Sequence, residues 1–355
     1  MHPHKNTDSE KKMTHYNIPV FIPHLGCPHD CVFCNQKKIT GIKLTDKEAD
    51  KIISNAKKTI DETLFEIEKK GSKKDRFVEI AFFGGSFTAI EKDVFTKLCL
   101  MAKEYVESGR VNGVRCSTRP DCIDDETLKF MKDCRFIMIE LGVQSTDDFV
   151  LLKSGRGHTK KDVFDAAKKI KKAKIGLGLQ MMTHLPYDTD EKAIKTAKDI
   201  ISLKPDCVRI YPTLVIKGTR LFDMYESGTY KPARVEDAVS LCAKIMKMFY
   251  DANINIVRVG LQTTDEINEN TVIGPYHGAF REMCESIIYK DLIEKYVKKH
   301  KISNCTLKIR INGREISKAV GVKKSNTNYF KEKYGVIIKF KSDNRLKKRN
   351  LIFVN

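Results

Sequence analysis

The chain has 355 residues, 41% of them hydrophobic and 31% charged, with a formal net charge of +19. That length is ample for one sizeable domain and a small appendage, and no apolar run is long enough for a signal peptide or a bilayer span, which predicts a cytoplasmic protein without a membrane partner. Residues 286–355 hold 19 of the 65 basic side chains and only 5 of the 46 acidic ones, a net +14 that suits a polyanionic partner, with a solvated lysine surface as the plainer alternative.

A polar arm, residues 1–14, leads into residues 15–23, which read as a short buried strand. At its end stands Cys27-Pro28-His29-Asp30-Cys31-Val32-Phe33-Cys34. This C-x3-C-x2-C spacing lets one loop aim three thiols at one inorganic centre. Zinc would call for a fourth ligand, for which His24 and His29 are candidates; an iron–sulfur cube held by three thiolates keeps one iron open. Three unrelated core cysteines are the remaining alternative. The other eight cysteines are scattered singly in apolar surroundings and read as reduced core thiols.

Residues 45–70 show helical periodicity, with Thr45 as the expected cap and Gly71 as the stop. The strand-then-helix unit then repeats: strands at 77–83, 111–117, 136–143, 175–182 and 207–211, helices at 92–107, 124–132, 160–172, 191–202 and 236–251, and a further helical stretch near Leu221. Alternation of this kind predicts parallel pairing through right-handed crossovers. Beyond a short strand at 254–259 and a long helix at 276–300, the basic tail reads as a strand (306–311), a hairpin turn at Asn312-Gly313, a helix (325–333) and two closing strands (336–341 and 351–354).

Chemistry in parallel barrels gathers at the strands' C-terminal ends, and the polar motifs fall there. Gly84-Gly85-Ser86 follows the second strand, Ser117-Thr118-Arg119-Pro120-Asp121 ends the third, Glu140-Leu141-Gly142-Val143-Gln144-Ser145 ends the fourth, and Ser154-Gly155-Arg156-Gly157-His158-Thr159 precedes a helix. Two adjacent glycines serve any tight turn.

Together with the cysteine loop, whose last cysteine is preceded by the aromatic Phe33, these motifs resemble the radical S-adenosylmethionine (SAM) superfamily. The Thr-Arg-Pro-Asp and Glu-Leu-Gly-Val-Gln-Ser runs, with Val208–Ile216, Gly228-Thr229-Tyr230-Lys231-Pro232 and Gly274-Pro275-Tyr276-His277, are similar to the branch containing the catalytic subunit of Elongator, over roughly residues 15–290. The resemblance implies an α/β fold: a partial (β/α) barrel of about six parallel strands at 15–290, followed by a small basic α+β appendage at 291–355. It implies a 4Fe–4S cluster on Cys27, Cys31 and Cys34, whose open iron chelates the methionine moiety of SAM and whose electron releases a 5′-deoxyadenosyl radical. It further implies that Gly84 and Gly85 bond the methionine amino group, that Ser117 and Gln144 face the ribose, and that Arg156 pairs with the carboxylate. Two departures stand out: Ser86 where the family has Glu, and Thr183-His184 where the branch has Pro-Gly, which makes His184 either substrate-facing or a loop cap. No stretch here is long enough for the acetyltransferase domain of the Elongator subunit.

The expected function is therefore reductive cleavage of SAM for modification of RNA, with tRNA first, an electron donor such as ferredoxin or flavodoxin, and phosphate contacts from Lys323, Lys324, Lys347, Lys348 and Arg349. The alternatives are a small-molecule radical oxidoreductase of the anaerobic coproporphyrinogen dehydrogenase type and a non-catalytic iron–sulfur RNA-binding protein.

Overall fold

A computed structural model describes residues 13–22, 27, 29–34, 46–69, 76–261 and 272–354. Residues 1–12 of the expected arm, His24, Thr45 and Gly71 lie outside the described residues.

Along the chain come β1 (Thr14–Ile22), α1 (Asp46–Glu68), β2 (Arg76–Gly84), α2 (Lys92–Glu107), β3 (Gly113–Thr118), α3 (Asp125–Asp133), β4 (Phe136–Gln144), α4 (Asp148–Lys153), α5 (Lys160–Lys172), β5 (Gly176–Thr183), α6 (Asp190–Ser202), β6 (Cys207–Pro212), β7 (Val215–Ile216), α7 (Arg220–Glu226), α8 (Val235–Asp251), β8 (Asn255–Val259) and β9 (Val272–Ile273). They are followed by α9 (Phe280–Lys299), β10 (Thr306–Ile311), α10 (Ile316–Val320), α11 (Ser325–Tyr334), β11 (Ile337–Ser342) and β12 (Ile352–Val354). The main sheet has seven strands in the order β1-β2-β3-β4-β5-β6-β8. Sequential order, parallel pairing and intervening helices are those of a partial (β/α) barrel. The strand count exceeds the expected six because the short strand after α8 joins the edge of this sheet, pairing with β6 from Cys207↔Asn255 to Ile210↔Val259.

The described residues group into two compact units, one within 1–30, 36–143 and 155–179, the other within 31–35, 144–154 and 180–355. In the first, β1 and β2 run in unbroken register from Thr14↔Arg76 to Ile22↔Gly84, and Phe82, Phe87 and Phe136 stack beneath the end of β2. Two of its helices begin where the sequence supplies caps: Asp124 accepts from the Thr127 N–H ahead of α3, and Thr159 with Asp162 forms a capping box for α5.

In the second unit the appendage has its own core. Ile293 and Val297 of α9 pack with Leu307, Ile309, Phe330, Val336 and Ile338. The expected hairpin at Asn312-Gly313 does not form. Asn312 has φ −56°, outside the left-handed region a two-residue hairpin needs, and its side chain accepts from the Arg314 N–H, so the chain turns into a 3-10 turn and α10 instead. Consequently β10 pairs parallel with β11 and antiparallel with β12, in the order β11-β10-β12. Cys305, expected in the core, is exposed, and Cys122 is half-buried.

Candidate active site

In the first unit, the ends of β2, β3 and β4 meet the loop around Arg156. Gly84 has φ +122°, and a Cβ there would collide with the Ile22 carbonyl oxygen, so the turn after β2 admits only glycine beside β1. Ser86, in the position of the family's glutamate, is buried and bonds the Thr118 hydroxyl (2.8 Å), which continues to Thr88 (2.6 Å). The carboxylate is replaced by a hydroxyl chain that ties the end of β3 to this turn. Ser117 sits opposite Glu140 in the β3–β4 register and alternates with Arg115, so the two project from the same face.

Arg119, buried at the end of β3, grips Asp121 through two nitrogens (3.0 Å each) and also donates to the carbonyl of Arg156. Arg156 is itself buried and donates to the Gly142 carbonyl (2.6 Å). His158 donates through Nε2 to the Val143 carbonyl (3.1 Å). Burial, with the neighbouring charges of Arg156 and Arg119, pulls its imidazole down to about 3 and keeps it neutral. At Gly157 (φ +71°) a side chain would strike the His29 ring, whose Nε2 lies 3.8 Å from Asp121. His29, one of the two fourth ligands considered for zinc, is thus seated on Gly157 and turned to a carboxylate. Burial raises the Cys122 thiol, with Asp121 and then Cys27 among the smaller contributors.

Below this layer the same face carries a buried ionic ladder that sequence reasoning missed. Arg115 bridges Glu79 (3.1 Å) and Glu140 (2.7 Å), and His15 bonds Glu79. Its signal was available: one charged residue at a face-matched position of three consecutive apolar strands.

In the second unit, the cysteine loop closes on itself, Cys34 N–H donating to the Cys31 carbonyl (3.1 Å). Between them Val32 donates to the Ser154 carbonyl (3.1 Å) and accepts from the Leu221 N–H (2.7 Å), while Val32 and Phe33 pack with Val215, Leu221 and Tyr230. Gln144 ends β4 in the left-handed region (φ +65°) and accepts from Gln180 (3.4 Å). A non-glycine residue in that conformation marks a position that the fold holds against its preference. His184 (φ +61°) caps its loop through its main chain: its N–H donates to Asp188 (3.1 Å), and its carbonyl accepts from Tyr230 (2.7 Å). Its ring bonds Thr183 (3.0 Å), and burial holds its pKa below the usual value.

Three thiols with no disulfide are the donor chemistry of an iron–sulfur cube, although among the described residues they are not gathered into one ligating group. Cys31 is buried, and Cys27 and Cys34 are half-buried.

A model described as the Radical SAM superfamily matches residues 21–200, and the Radical_SAM C-terminal domain matches residues 205–290. The chain belongs to the radical SAM superfamily. It is a radical SAM enzyme by family, and the cofactors of that family are a 4Fe–4S cluster and SAM. It is 33% identical over 196 residues to a tRNA uridine(34) acetyltransferase of Methanocaldococcus infernus, covering 50% of this chain and 36% of that one. It is 27% identical over 262 residues to Elongator complex protein 3 of Bos taurus, covering 64% of this chain and 48% of the bovine one. The chain therefore spans between a third and a half of these relatives, which are of the Elongator catalytic-subunit type. The fold is shared with the archaeal Methanocaldococcus infernus Elp3 carrying an N-terminal deletion (1-46), at a TM-score of 0.54, 21% identity, 82% coverage of this chain and 64% of that one.

The basic residues singled out in the appendage of this radical SAM chain divide by environment. Lys323, Lys324, Lys347 and Lys348 are exposed. Lys323 and Lys324 are successive left-handed residues (φ +51° and +62°) after Gly321. Arg349 is different: its guanidinium lies over the Tyr250 ring (3.6 Å) and its main-chain N–H donates to Tyr289 (3.1 Å); with Lys348 it lines a polar cleft of about 490 Å³ beside Arg281, Glu285, Glu315 and Lys318.

Proposed function

We propose that this enzyme cleaves SAM reductively and uses the product to modify RNA, with tRNA as the substrate class. The reading is carried by one arrangement: Cys31 and Cys34 on a loop clamped by its own backbone, in a chain that carries +14 of its net +19 in residues 286–355. The support from relatives is that the proteins it resembles are named for tRNA uridine modification.

In this reading Cys27, Cys31 and Cys34 hold the cluster. When bound, cluster and SAM supply a 5′-deoxyadenosyl radical able to abstract hydrogen from substrate. The residues of the chain bind and orient. Gly84 and Gly85 offer main-chain groups to the methionine amino group, Ser117 and Gln144 face the ribose, and Arg156 presents its guanidinium to the carboxylate. Neutral His158 beside Arg156 adds no second positive charge to that end. Lys323, Lys324, Lys347 and Lys348 take RNA phosphates, and Arg349 buttresses the appendage against Tyr250. The electron comes from a ferredoxin or flavodoxin in the cytoplasm.

The test is anaerobic turnover: reconstituted protein, reductant and SAM should release 5′-deoxyadenosine, and folded tRNA should stimulate that release where a porphyrinogen does not. Stimulation by the porphyrinogen alone moves the assignment to small-molecule oxidation. An intact cluster that binds RNA yet yields no 5′-deoxyadenosine under any reductant makes the protein a binding module.

A further inference from the structure

The second unit carries an exposed aromatic patch that nothing in the proposed cofactor site uses. Phe149 of α4 and Tyr187, in the loop after β5, are 48% and 54% exposed, and Leu152 beside them is 72% exposed. The two rings meet edge to face at 5.6 Å and 78°. The Lys153 ammonium lies 5.4 Å from the Phe149 centroid and 5.5 Å from that of Tyr187, and Lys192 lies 5.4 Å from Phe149. Asp147 offsets part of the Lys192 charge at 3.5 Å, which leaves Lys153 as the principal cation.

The patch is held rigid. Tyr187 is left-handed (φ +61°), its carbonyl accepts from Lys192 (3.1 Å), and the next N–H, that of Asp188, donates to the Leu185 carbonyl (2.9 Å). A bulky side chain in that conformation is uncommon and persists where the surrounding structure holds it. Ahead of α4, Thr146 is tied to α6 through Thr196 and Asp199 (3.1 and 2.6 Å), and Asp147 caps Val150 (3.0 Å). Both aromatics follow the C-terminal ends of β4 and β5, neighbours in the sheet and the end where such folds gather their chemistry. Ser154, directly after Lys153, accepts the Val32 N–H of the loop that carries Cys31 and Cys34.

Resting on the RNA reading above, we propose that Phe149 and Tyr187 form a stacking platform for one unpaired nucleobase of the substrate, with Lys153 as its phosphate-facing cation. Two rings and a leucine are far smaller than a stable protein interface, which needs about 800 Å² from each partner. Exposed π-faces interleaved with ammonium groups are the chemistry that holds single-stranded nucleic acid. A paired base offers no free face to them.

The experiment uses the anaerobically reconstituted full chain and a short single-stranded oligoribonucleotide bearing 2-aminopurine. The expected result is quenching of the probe on binding, abolished in F149A/Y187A together with a loss of affinity of about 5- to 150-fold per lost stack. The conservative F149Y and Y187F variants should retain both, and cluster absorbance should be unchanged throughout. Equal quenching and affinity in F149A/Y187A overturns the platform while leaving the RNA reading intact. Absence of any binding by the wild type, to this probe and to folded tRNA alike, overturns the RNA reading and the platform with it. If F149A/Y187A loses its cluster, single F149A with K153A replaces it, read by the same quenching.

Discussion

The side chain of Arg119 donates to the main-chain carbonyl of Arg156. Through its two bonds to Asp121 it also fixes the end of β3. The loop that presents Arg156 is thus positioned by a residue assigned no cofactor contact.

Arg119 and Arg156 should therefore behave alike in cofactor binding and differently in stability. Arg156→Ala should weaken SAM binding by the value of a charge-assisted hydrogen bond, about 1.5–3 kcal/mol, and should lower the unfolding midpoint less than Arg119→Ala, since it gives up a bond to the Gly142 carbonyl rather than a carboxylate fork. Arg119→Ala should weaken it as well and also destabilise the fold, because Asp121 loses a bidentate partner. Arg119→Lys should not rescue, since one ammonium cannot reproduce the fork. SAM affinity measured beside denaturant midpoints checks this, and an Arg119→Ala protein with unchanged affinity would separate the two residues.

The cluster assignment predicts about four irons and four sulfides per chain after reconstitution, lost when Cys27, Cys31 and Cys34 are replaced by Ala. Cys122→Ala is the informative control. Cys122 lies outside the C-x3-C-x2-C loop, so iron and sulfide content should be retained. Stoichiometric zinc without sulfide in anaerobically purified protein contradicts the cube.

His158 makes a pH prediction with a definite sign. Its folded-state pKa is depressed to about 3, from an ordinary 6.5. The folded protein therefore binds fewer protons than the unfolded chain in that window. The stabilising contribution is complete above about pH 6.5 and is lost as pH falls toward 3, by up to about 1.4 kcal/mol per unit. His158→Gln keeps a donor for Val143 and cannot be charged. The difference in unfolding free energy between wild type and variant should shrink on acidification from pH 7 to 4; a constant difference removes His158 as the cause.

The ladder of Glu79, Arg115 and Glu140 should be the costliest polar cluster to break. Arg115→Ala leaves two buried carboxylates without their shared cation, and loss of one partner of a buried pair typically costs about 3–5 kcal/mol. Urea unfolding measures it. A loss below about 1 kcal/mol would mean that water reaches Glu79 and Glu140.

Salt dependence tests the appendage. Four phosphate contacts from Lys323, Lys324, Lys347 and Lys348 predict that tRNA affinity falls about 50- to 150-fold between 50 and 200 mM salt. Replacing all four by Gln should flatten the slope and spare 5′-deoxyadenosine release. Point substitution is preferred to truncation, because Ile293 and Val297 of α9 belong to the appendage core and a shortened chain would expose them. An unchanged slope removes the appendage as the RNA anchor.

What was legible in the sequence follows from the range of the signals. Helical period places α2 and α5 at the expected residues, 92–107 and 160–172, and the apolar runs place the strands within a residue or two, because these signals are local. Local signals also mislead. Asn312-Gly313 reads as a hairpin, yet the Asn312 side chain prefers to cap its own backbone. The six residues of α4 and the two-residue strands β7 and β9 are too short to show a period. The cysteine loop stood out as a motif by its spacing, while its proposed cluster came from the resemblance. Its neighbours did not: His29 meets Gly157, Arg119 meets Arg156, and Phe149 meets Tyr187 only after folding closes long loops. The split of the basic tail into exposed lysines and a committed Arg349 likewise depends on Tyr250, far away in the chain.

Val32 is bonded on both sides by chain outside its loop, through its N–H to Ser154 and through its carbonyl to Leu221. The backbone between Cys31 and Cys34 is therefore fixed from both flanks by the chain itself. In the cluster reading, a disturbance at either flank reaches the spacing of two proposed ligand thiols without touching a cysteine.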